Sequence, residues 1–374
     1  MPHLSIANLK ILRIYSLKEL INLKRINQRS PPHRTISSPG VIYLLELQYL
    51  IFTVIVLALI FDFINGFHDT ANAIATSVST RALRPNHAIA MAATLNFLGA
   101  MISTGVAKTI GGDIVSSPAF VNEKIIISAL LGAIFWNLLT WKIGIPSSSS
   151  HALVGGLIGA VLVSVGNVGL NWVGIGKIVV ALIASPAIAL ITGFVIMNIL
   201  CNFLKNASPH NVNDKFRKLQ IAAAATMAFS HGSNDAQKSM GIITLALFSG
   251  GFLSEFEVPT FVKILCATAM AVGTASGGWR LIKTVGGKIF KLEPASGFSA
   301  DLNSSVVVFG ATLLHLPVST THVVSGSIMG VGTAKRTNAV HWGVAQNMVK
   351  AWCLTIPISA IVGALALLLV ERIF

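Results

Sequence analysis

Residues 146–151 read Pro-Ser-Ser-Ser-Ser-His, and residues 317–322 read Pro-Val-Ser-Thr-Thr-His. A Gly-x-x-x-Gly pair follows each block at the same distance. The two blocks lie about 170 residues apart, close to half the length of the chain. Helix packing alone would repeat small residues without repeating Ser, Thr and His, so the match predicts an internal duplication.

Two further pairs of segments match in the same order and at a similar offset. Residues 63–69 share Phe, Gly and Asp with residues 229–235, and residues 109–114 share Thr-x-Gly-Gly-x-Ile with residues 284–289. Three matches in one order are hard to obtain by chance. The chain is therefore predicted to consist of two repeats of one unit.

The composition indicates the solvent in which these repeats fold. Of the 374 residues, 53% are hydrophobic and only 11% are charged, and the mean hydropathy is +0.75. These values exclude an ordinary soluble domain and a disordered chain, and three Cys in apolar runs exclude a disulfide scaffold. The net charge of +14 comes from Lys and Arg between apolar runs, which indicates membrane topology and not nucleic-acid binding.

Uncharged runs of about 20 residues predict membrane-crossing helices. The candidates are 47–61 extended back to 41, 85–107, 125–141, 178–204, 219–254 across its two charges, 258–279, and 351–370. Two runs, 143–176 and 302–334, are too long for one crossing and carry Pro and clustered hydroxyl residues, so each predicts a broken or re-entrant helix. The predicted fold is an all-α polytopic membrane protein of two repeats with broken or re-entrant helices, with roughly ten to twelve helical segments.

The charge pattern divides the chain. Residues 1–40 hold seven basic residues and one acid and end in Pro-rich breakers, so they are predicted to be an extension outside the fold. Residues 41–204 form the first membrane repeat and residues 219–374 the second. The basic segment 205–218 between them is predicted to be a cytoplasmic linker. The protein is expected to be multi-pass in the cell membrane.

The repeated acids, Asp69 and Asp235, lie in strongly apolar segments. A carboxylate at membrane depth is costly and therefore suggests a function, the alternative being that each acid pairs with a nearby base for structure. Gly66 and Gly232 each precede the acid by three residues, which predicts an unwound turn within the membrane helix.

The two Pro-Ser/Thr blocks predict helix starts, because Pro favours the first helical turn and Ser or Thr caps it. Two helix N-termini meeting at the repeat interface would surround a tetrahedral oxyanion with N–H and O–H donors. The alternative is that these residues only cap ordinary helices. His151 and His322, which end the blocks, are either structural donors or a proton relay. The sequence has no His-Glu-x-x-His or Cys-x-x-Cys pattern, so no metal centre and no cofactor are predicted.

The motifs as a set resemble those of the inorganic phosphate transporter (PiT) family. The resemblance rests on residues 65–73, Asn-Gly-Phe-His-Asp-Thr-Ala-Asn-Ala, on residues 230–238, Ser-His-Gly-Ser-Asn-Asp-Ala-Gln-Lys, and on the paired Pro-x-Ser-[ST]-[ST]-His blocks. It covers the chain from Val41 to the C-terminus. It implies an inverted repeat, transport of inorganic phosphate with a coupling cation, and a homodimer, and it implies a transporter and not an enzyme.

The same resemblance assigns roles to residues of this sequence. Phosphate would lie among six hydroxyl residues, namely Ser148, Ser149, Ser150, Ser319, Thr320 and Thr321. The coupling cation would be handled by Asp69, Asn72, Asp235, Gln237 and Lys238.

Two questions about the substrates follow from these residues. Sodium-coupled members carry Asp-x-x-Asn in both halves, whereas this chain has Lys238 at the last position of the second motif, which resembles the bacterial low-affinity, proton-coupled branch. Lys238 could pair with Asp235, three residues earlier, or extend to the membrane interface. A sodium-coupled phosphate symporter and a sulfate permease of the same fold are the alternatives, and phosphate could travel as a metal phosphate.

Overall fold

A computed structural model describes residues 39–277 and 279–373, and this part of the chain is almost entirely helical. The predicted extension, residues 1–40, lies almost wholly outside the described residues. The twelve α-helices of the described residues are α1 Pro39–Ser79, α2 Pro85–Ala100, α3 Gly105–Gly112, α4 Glu123–Ile143, α5 Ser149–Ser164, α6 Trp172–Leu204, α7 Pro209–Ser249, α8 Thr260–Ser276, α9 Trp279–Gly287, α10 Pro294–Leu313, α11 Thr320–Lys335 and α12 Trp342–Ile373. The predicted all-α class is confirmed.

The helices form two sets of six with matching lengths. Helices α1 and α7 each have 41 residues, and α5 and α11 each have 16. The last helix of each set, α6 or α12, contains an internal proline, Pro186 or Pro357. This order of elements confirms the duplication, and the inverted orientation of the repeats stays a prediction.

The two sets pack mainly against each other. Helix α5 packs on α12 and α11 packs on α6, while α2 and α3 pack on α7. Glycines allow close approach at these crossings: a Cβ on Gly155 would lie 2.6 Å from the carbonyl oxygen of Ile356, and one on Gly326 would lie 2.5 Å from that of Pro186. The Gly-x-x-x-Gly pairs are therefore packing surfaces between the repeats.

Within the described residues, four helices are long and apolar enough to cross a membrane, with candidate spans at 45–79, 123–143, 172–204 and 342–373. Helices α2 and α3 together pass the same test, bent by 71° at a short break. Helices α5 and α11 are too short for a full crossing, and extended segments at residues 145–148 and 316–319 precede them. The interruptions predicted in the two long uncharged runs are thus present.

Three predictions about local structure are wrong. Residues 209–218 of the predicted linker form the start of α7, which leaves only residues 205–208 between α6 and α7. Helices α1 and α7 continue through their acids without an unwound turn. The glycines before those acids serve packing instead, because a Cβ on Gly66 would lie 2.3 Å from the carbonyl oxygen of Met270 and one on Gly232 would lie 2.1 Å from that of Asn96. The prolines of the two blocks lie in the extended segments, before the helix caps and not in the first turn.

Candidate functional site

The N-termini of α5 and α11 are built in the same way. Ser148 caps α5 and accepts a hydrogen bond from the backbone N–H of His151 at 3.2 Å. Ser319 caps α11 and accepts one from the backbone N–H of His322 at 3.3 Å. These two predicted phosphate ligands therefore act as helix caps, as the simpler alternative held, and Ser148 Oγ also lies 2.7 Å from Nδ1 of His151.

The two helix starts also touch each other. Ser150 Oγ donates to the carbonyl oxygen of Val318 at 3.0 Å. The rings of His151 and His322 lie 4.6 Å apart, and His322 stacks on Trp352 at 3.9 Å between ring centroids. The duplicated blocks thus place two positive helix ends side by side in the protein interior, as an anion site requires.

The carboxylate of Asp69 lies at this junction and is only 2% exposed. Its Oδ1 accepts a hydrogen bond from Thr321 Oγ1 at 2.9 Å and lies 2.9 Å from His68 Nδ1. Its Oδ2 has a longer contact, 3.5 Å, with Ser149 Oγ, which donates to Asn65 Oδ1 at 2.7 Å. One acid of α1 therefore contacts the starts of both half-length helices.

The second carboxylate, Asp235 on α7, faces the same junction. The ammonium Nζ of Lys238 lies 2.9 Å from its Oδ1, as the spacing of three residues predicted, and Lys238 is fully buried. The Oδ2 atom receives longer contacts of 3.4 Å from Thr320 Oγ1 and from Asn65 Nδ2. Lys238 Nζ also donates to the carbonyl oxygen of Val318 at 3.2 Å, so this lysine does not extend to the membrane interface.

Of the remaining residues predicted to handle the cation, Asn72 contacts the side chains at the junction and Gln237 does not. Asn72 Nδ2 donates to Thr321 Oγ1 at 2.9 Å. Gln237 Oε1 instead accepts from the backbone N–H of Ala107 at 3.2 Å, near the start of α3, and its Nε2 donates to the Ser233 carbonyl oxygen. Adjacent positions on a helix point in different directions, which explains why Gln237 turns away while Lys238 points inward.

Three side chains at the junction offer ligand atoms that could bind one cation. Ligand atoms of Asp69, His231 and Asp235 all lie within 4.8 Å of one another, and all three residues are buried. His231 Nδ1 bonds to the side chain of Asn96 at 3.0 Å, and its Nε2 lies 3.8 Å from Asp235 without a hydrogen bond from the described residues. The sequence predicted that the two acids handle the coupling cation, and it assigned no role to His231.

Two more acids that are at most 1% exposed, Asp62 and Asp301, lie outside the predicted set. Asp62 Oδ1 accepts a hydrogen bond from Ser239 Oγ at 2.8 Å. Thr76 Oγ1 lies 2.7 and 2.6 Å from the two carboxylate oxygens of Asp301. Sequence reasoning treated both acids as the ends of uncharged runs, and that position was the one signal that could have found them.

Comparison with known proteins agrees with this geometry. The model of the phosphate transporter family matches residues 65–363, which include both acids and both Ser/Thr blocks. The chain belongs to the phosphate transporter family. Membership makes this protein a transporter, not an enzyme, and with its apolar helices it is a multi-pass protein of the plasma membrane.

Individual relatives support the assignment to this transporter family. A protein of Bacillus subtilis (strain 168) named "Probable low-affinity inorganic phosphate transporter" is 53% identical over 323 residues, covering 86% of this chain and 97% of the relative. A protein of Rhizobium meliloti (strain 1021) with the same name is 48% identical, covering 83% and 93%. A solved structure titled "The sodium-dependent phosphate transporter" matches with a TM-score of 0.79 at 27% identity, covering 87% of this chain and all of that chain.

Proposed function

We propose that this transporter is a secondary active symporter that carries inorganic phosphate across the cell membrane with protons. The observation that supports it best is the meeting of two helix N-termini, with the hydroxyls of Ser149, Thr320 and Thr321, against two buried carboxylates. Thr321 donates to Asp69, whereas Ser149 and Thr320 make longer contacts of 3.5 and 3.4 Å with Asp69 and Asp235. The three hydroxyls could turn toward an anion that enters between the helix starts, which would couple occupancy of the anion site to the charge of Asp69 and Asp235.

The two carboxylates favour phosphate over sulfate as the substrate. Phosphate carries at least one proton near neutral pH and can donate a hydrogen bond to Asp69 or Asp235, whereas sulfate carries none. A site with two acceptor groups discriminates against an anion that cannot donate. The cluster of Asp69, His231 and Asp235 would also accommodate the metal ion of a metal phosphate.

Lys238 favours protons over sodium as the coupling ion. Its ammonium lies 2.9 Å from Asp235, where a bound cation would otherwise neutralise that carboxylate. An amino group in that place leaves less room for Na⁺ beside Asp235. Sodium coupling is the second candidate, supported by the solved sodium-dependent relative with its TM-score of 0.79.

Counterflow in proteoliposomes that contain only this protein tests the substrate. Labelled phosphate should exchange into vesicles loaded with unlabelled phosphate, and arsenate should compete better than sulfate because it has the same protonation. Equal competition by sulfate would favour a sulfate permease. The absence of counterflow would contradict phosphate transport.

Driven uptake by the wild type and by Lys238→Asn tests the coupling ion. We expect the wild type to accumulate phosphate under a pH gradient without sodium, and we expect Lys238→Asn to lose that drive and to gain a response to sodium. Wild-type uptake that requires sodium and ignores the pH gradient would overturn proton coupling. Lys177→Asn, which makes the same substitution at an exposed lysine of α6, is the matched control and should keep the wild-type ion preference.

Two further parts of the proposal concern the histidine pair and the assembly. His151 and His322 are in ring contact beside the anion site and would pass protons between the two half-length helices. If so, His151→Gln should slow proton-driven uptake more than counterflow, and an equal effect on both would assign it a structural role.

The family resemblance further supports a homodimer, which mass measurement in detergent micelles tests.

A further inference from the structure

A continuous line of polar side chains follows one face of α1. Its members are spaced three or four residues apart, are all buried, and each contacts a polar group of the second repeat; they are Asp62, Asn65, Asp69, Asn72, Thr76 and Thr80. Eighteen residues of helix rise about 27 Å, which is close to the thickness of the hydrocarbon core. The line therefore extends well beyond the central site in both directions along α1.

Asp62 is the acid of this line that lies nearest the N-terminus of α1. It is fully buried, and its Oδ1 accepts a hydrogen bond from Ser239 Oγ at 2.8 Å. Its Oδ2 has no hydrogen bond from the described residues, although the Cys266 thiol on α8 interacts with the carboxyl group. No basic side chain of the described residues forms an ion pair with it. A lone carboxylate at this depth is costly, so the carboxyl group is expected to carry a proton on Oδ2.

The surroundings of Asp62 connect it to the central site. It precedes Asp69 by seven residues, or about 10 Å along the helix. Its hydrogen-bond donor, Ser239, directly follows Lys238, the residue that pairs with Asp235. The charged groups that act on Asp62 among the described residues are Asp235 and Lys238, and Cys266 is its titratable neighbour on the other side. Asp62 is thus connected to the Asp235–Lys238 pair through Ser239, the neighbour of Lys238 on α7.

We infer that Asp62 is a proton-carrying residue of the transport cycle, which binds and releases a proton as the central site fills and empties. The inference rests on the proposed function and deepens it. The step forms and then breaks one O–H bond. A proton from the solution on one side binds Oδ2 of Asp62, and the same proton is later released to the other side. No co-reactant is needed. Asp62 touches neither Asp69 nor a residue of the anion site, and its role is distinct from that of the acids there.

The test compares Asp62→Asn with the wild type in lightly buffered proteoliposomes, with two measurements on each. Counterflow of labelled phosphate reports binding and movement of the substrate, and a pH-sensitive dye reports protons that enter with each phosphate. We expect Asp62→Asn to keep counterflow within a factor of two to three and to lose at least tenfold in protons per phosphate. Asp62→Glu should restore proton uptake, and Asp113→Asn, which changes an exposed acid of the same chain, should have no effect.

The outcomes separate failure of this inference from failure of the proposed function. If the wild type shows counterflow but moves no protons, proton coupling itself is wrong and the inference fails with it. If the wild type moves protons and Asp62→Asn moves as many per phosphate, only the inference is overturned. If Asp62→Asn loses counterflow and Asp62→Glu does not restore it, Asp62 is structural. A lower intensity of the infrared band of protonated carboxyl groups in Asp62→Asn than in the wild type would support the inference, and an unchanged intensity would contradict it.

Discussion

At the scale of single residues, the two repeated acids differ in their polar partners. Asp69 relies on a hydroxyl and an imidazole, whereas Asp235 has a fully buried ammonium at 2.9 Å. Removing one member of a buried ion pair leaves the other charge without a partner, which typically costs about 3–5 kcal/mol. Loss of the carboxylate is therefore expected to cost more stability at position 235 than at position 69, although the two positions are equivalent in the repeats.

This difference predicts separate effects on transport and on stability. We expect Asp69→Asn and Asp235→Asn each to abolish phosphate accumulation, because each removes a negative charge that the coupling cation needs. Only Asp235→Asn should strongly lower the melting temperature in detergent, because it leaves the Lys238 ammonium unpaired. The double variant Asp235→Asn/Lys238→Met should recover stability without recovering accumulation. Full accumulation by either single variant would contradict the role in coupling.

The hydroxyls of the two half-length helices make a second prediction. Ser149 contacts Asp69, and Thr320, its counterpart in the second block, contacts Asp235. If both donate to phosphate, Ser149→Ala and Thr320→Ala should each lose about 1.5–3 kcal/mol of binding, or about ten- to one-hundredfold in affinity. Isothermal titration with phosphate measures this loss. A loss confined to one of the two variants would mean that only one block binds the anion. Thr268→Ala, which changes an exposed residue of α8 whose hydroxyl bonds within its own helix, is a control that should bind normally.

At the scale of helices, glycine decides how closely α7 and α2 approach. A Cβ on Gly232 would lie 2.1 Å from the backbone oxygen of Asn96, which no side-chain movement can relieve. Gly232→Ala should therefore destabilise the protein by at least about 1–3 kcal/mol, the usual cost of overpacking. Gly176→Ala on α6 is the matched control, since a Cβ there meets nothing within 4 Å. Thermal unfolding followed by size-exclusion chromatography compares the two, and equal stability would show that the helices can separate at Gly232.

The sequence predicted the repeat, the helix interruptions and most of the site, and the reasons for its failures are physical. Ser, Thr and Asp in apolar surroundings stand out because burying them is costly, so Asp69 and Thr320 could be found. The continuity of α1 and α7 could not be found, because Gly66 and Gly232 favour an unwound turn and a close helix crossing equally.

Asp62 was missed because the length of an uncharged run cannot tell an acid that ends a helix from one buried within it. The sequence also did not show that the side chains of Gln237 and Lys238, which are adjacent in the chain, point in different directions from α7.

At the scale of the whole molecule, the cores of the two repeats are shared. Helix α5 of the first repeat packs on α12 of the second, and α11 of the second packs on α6 of the first. The central site takes Asp69 and Ser149 from one repeat and Asp235 and Thr320 from the other. Neither repeat therefore encloses its own apolar surface or contains the whole candidate site, although each contains all six helices of the unit.

This sharing predicts how the chain responds to being cut. Residues 205–208 are the only non-helical link between α6 and α7, so a break after Asn206 interrupts no helix. We expect residues 1–206 and 207–374, when expressed together, to assemble and to carry out phosphate counterflow, because the interface between them is the core of the protein. Either fragment alone should aggregate in mild detergent, since its half of that interface would be exposed. As a control, a break after Ala224 cuts α7 within a buried turn and should abolish assembly. A single fragment that is monodisperse and unfolds cooperatively would show that the repeats fold independently, and the shared core would then be a contact between finished domains.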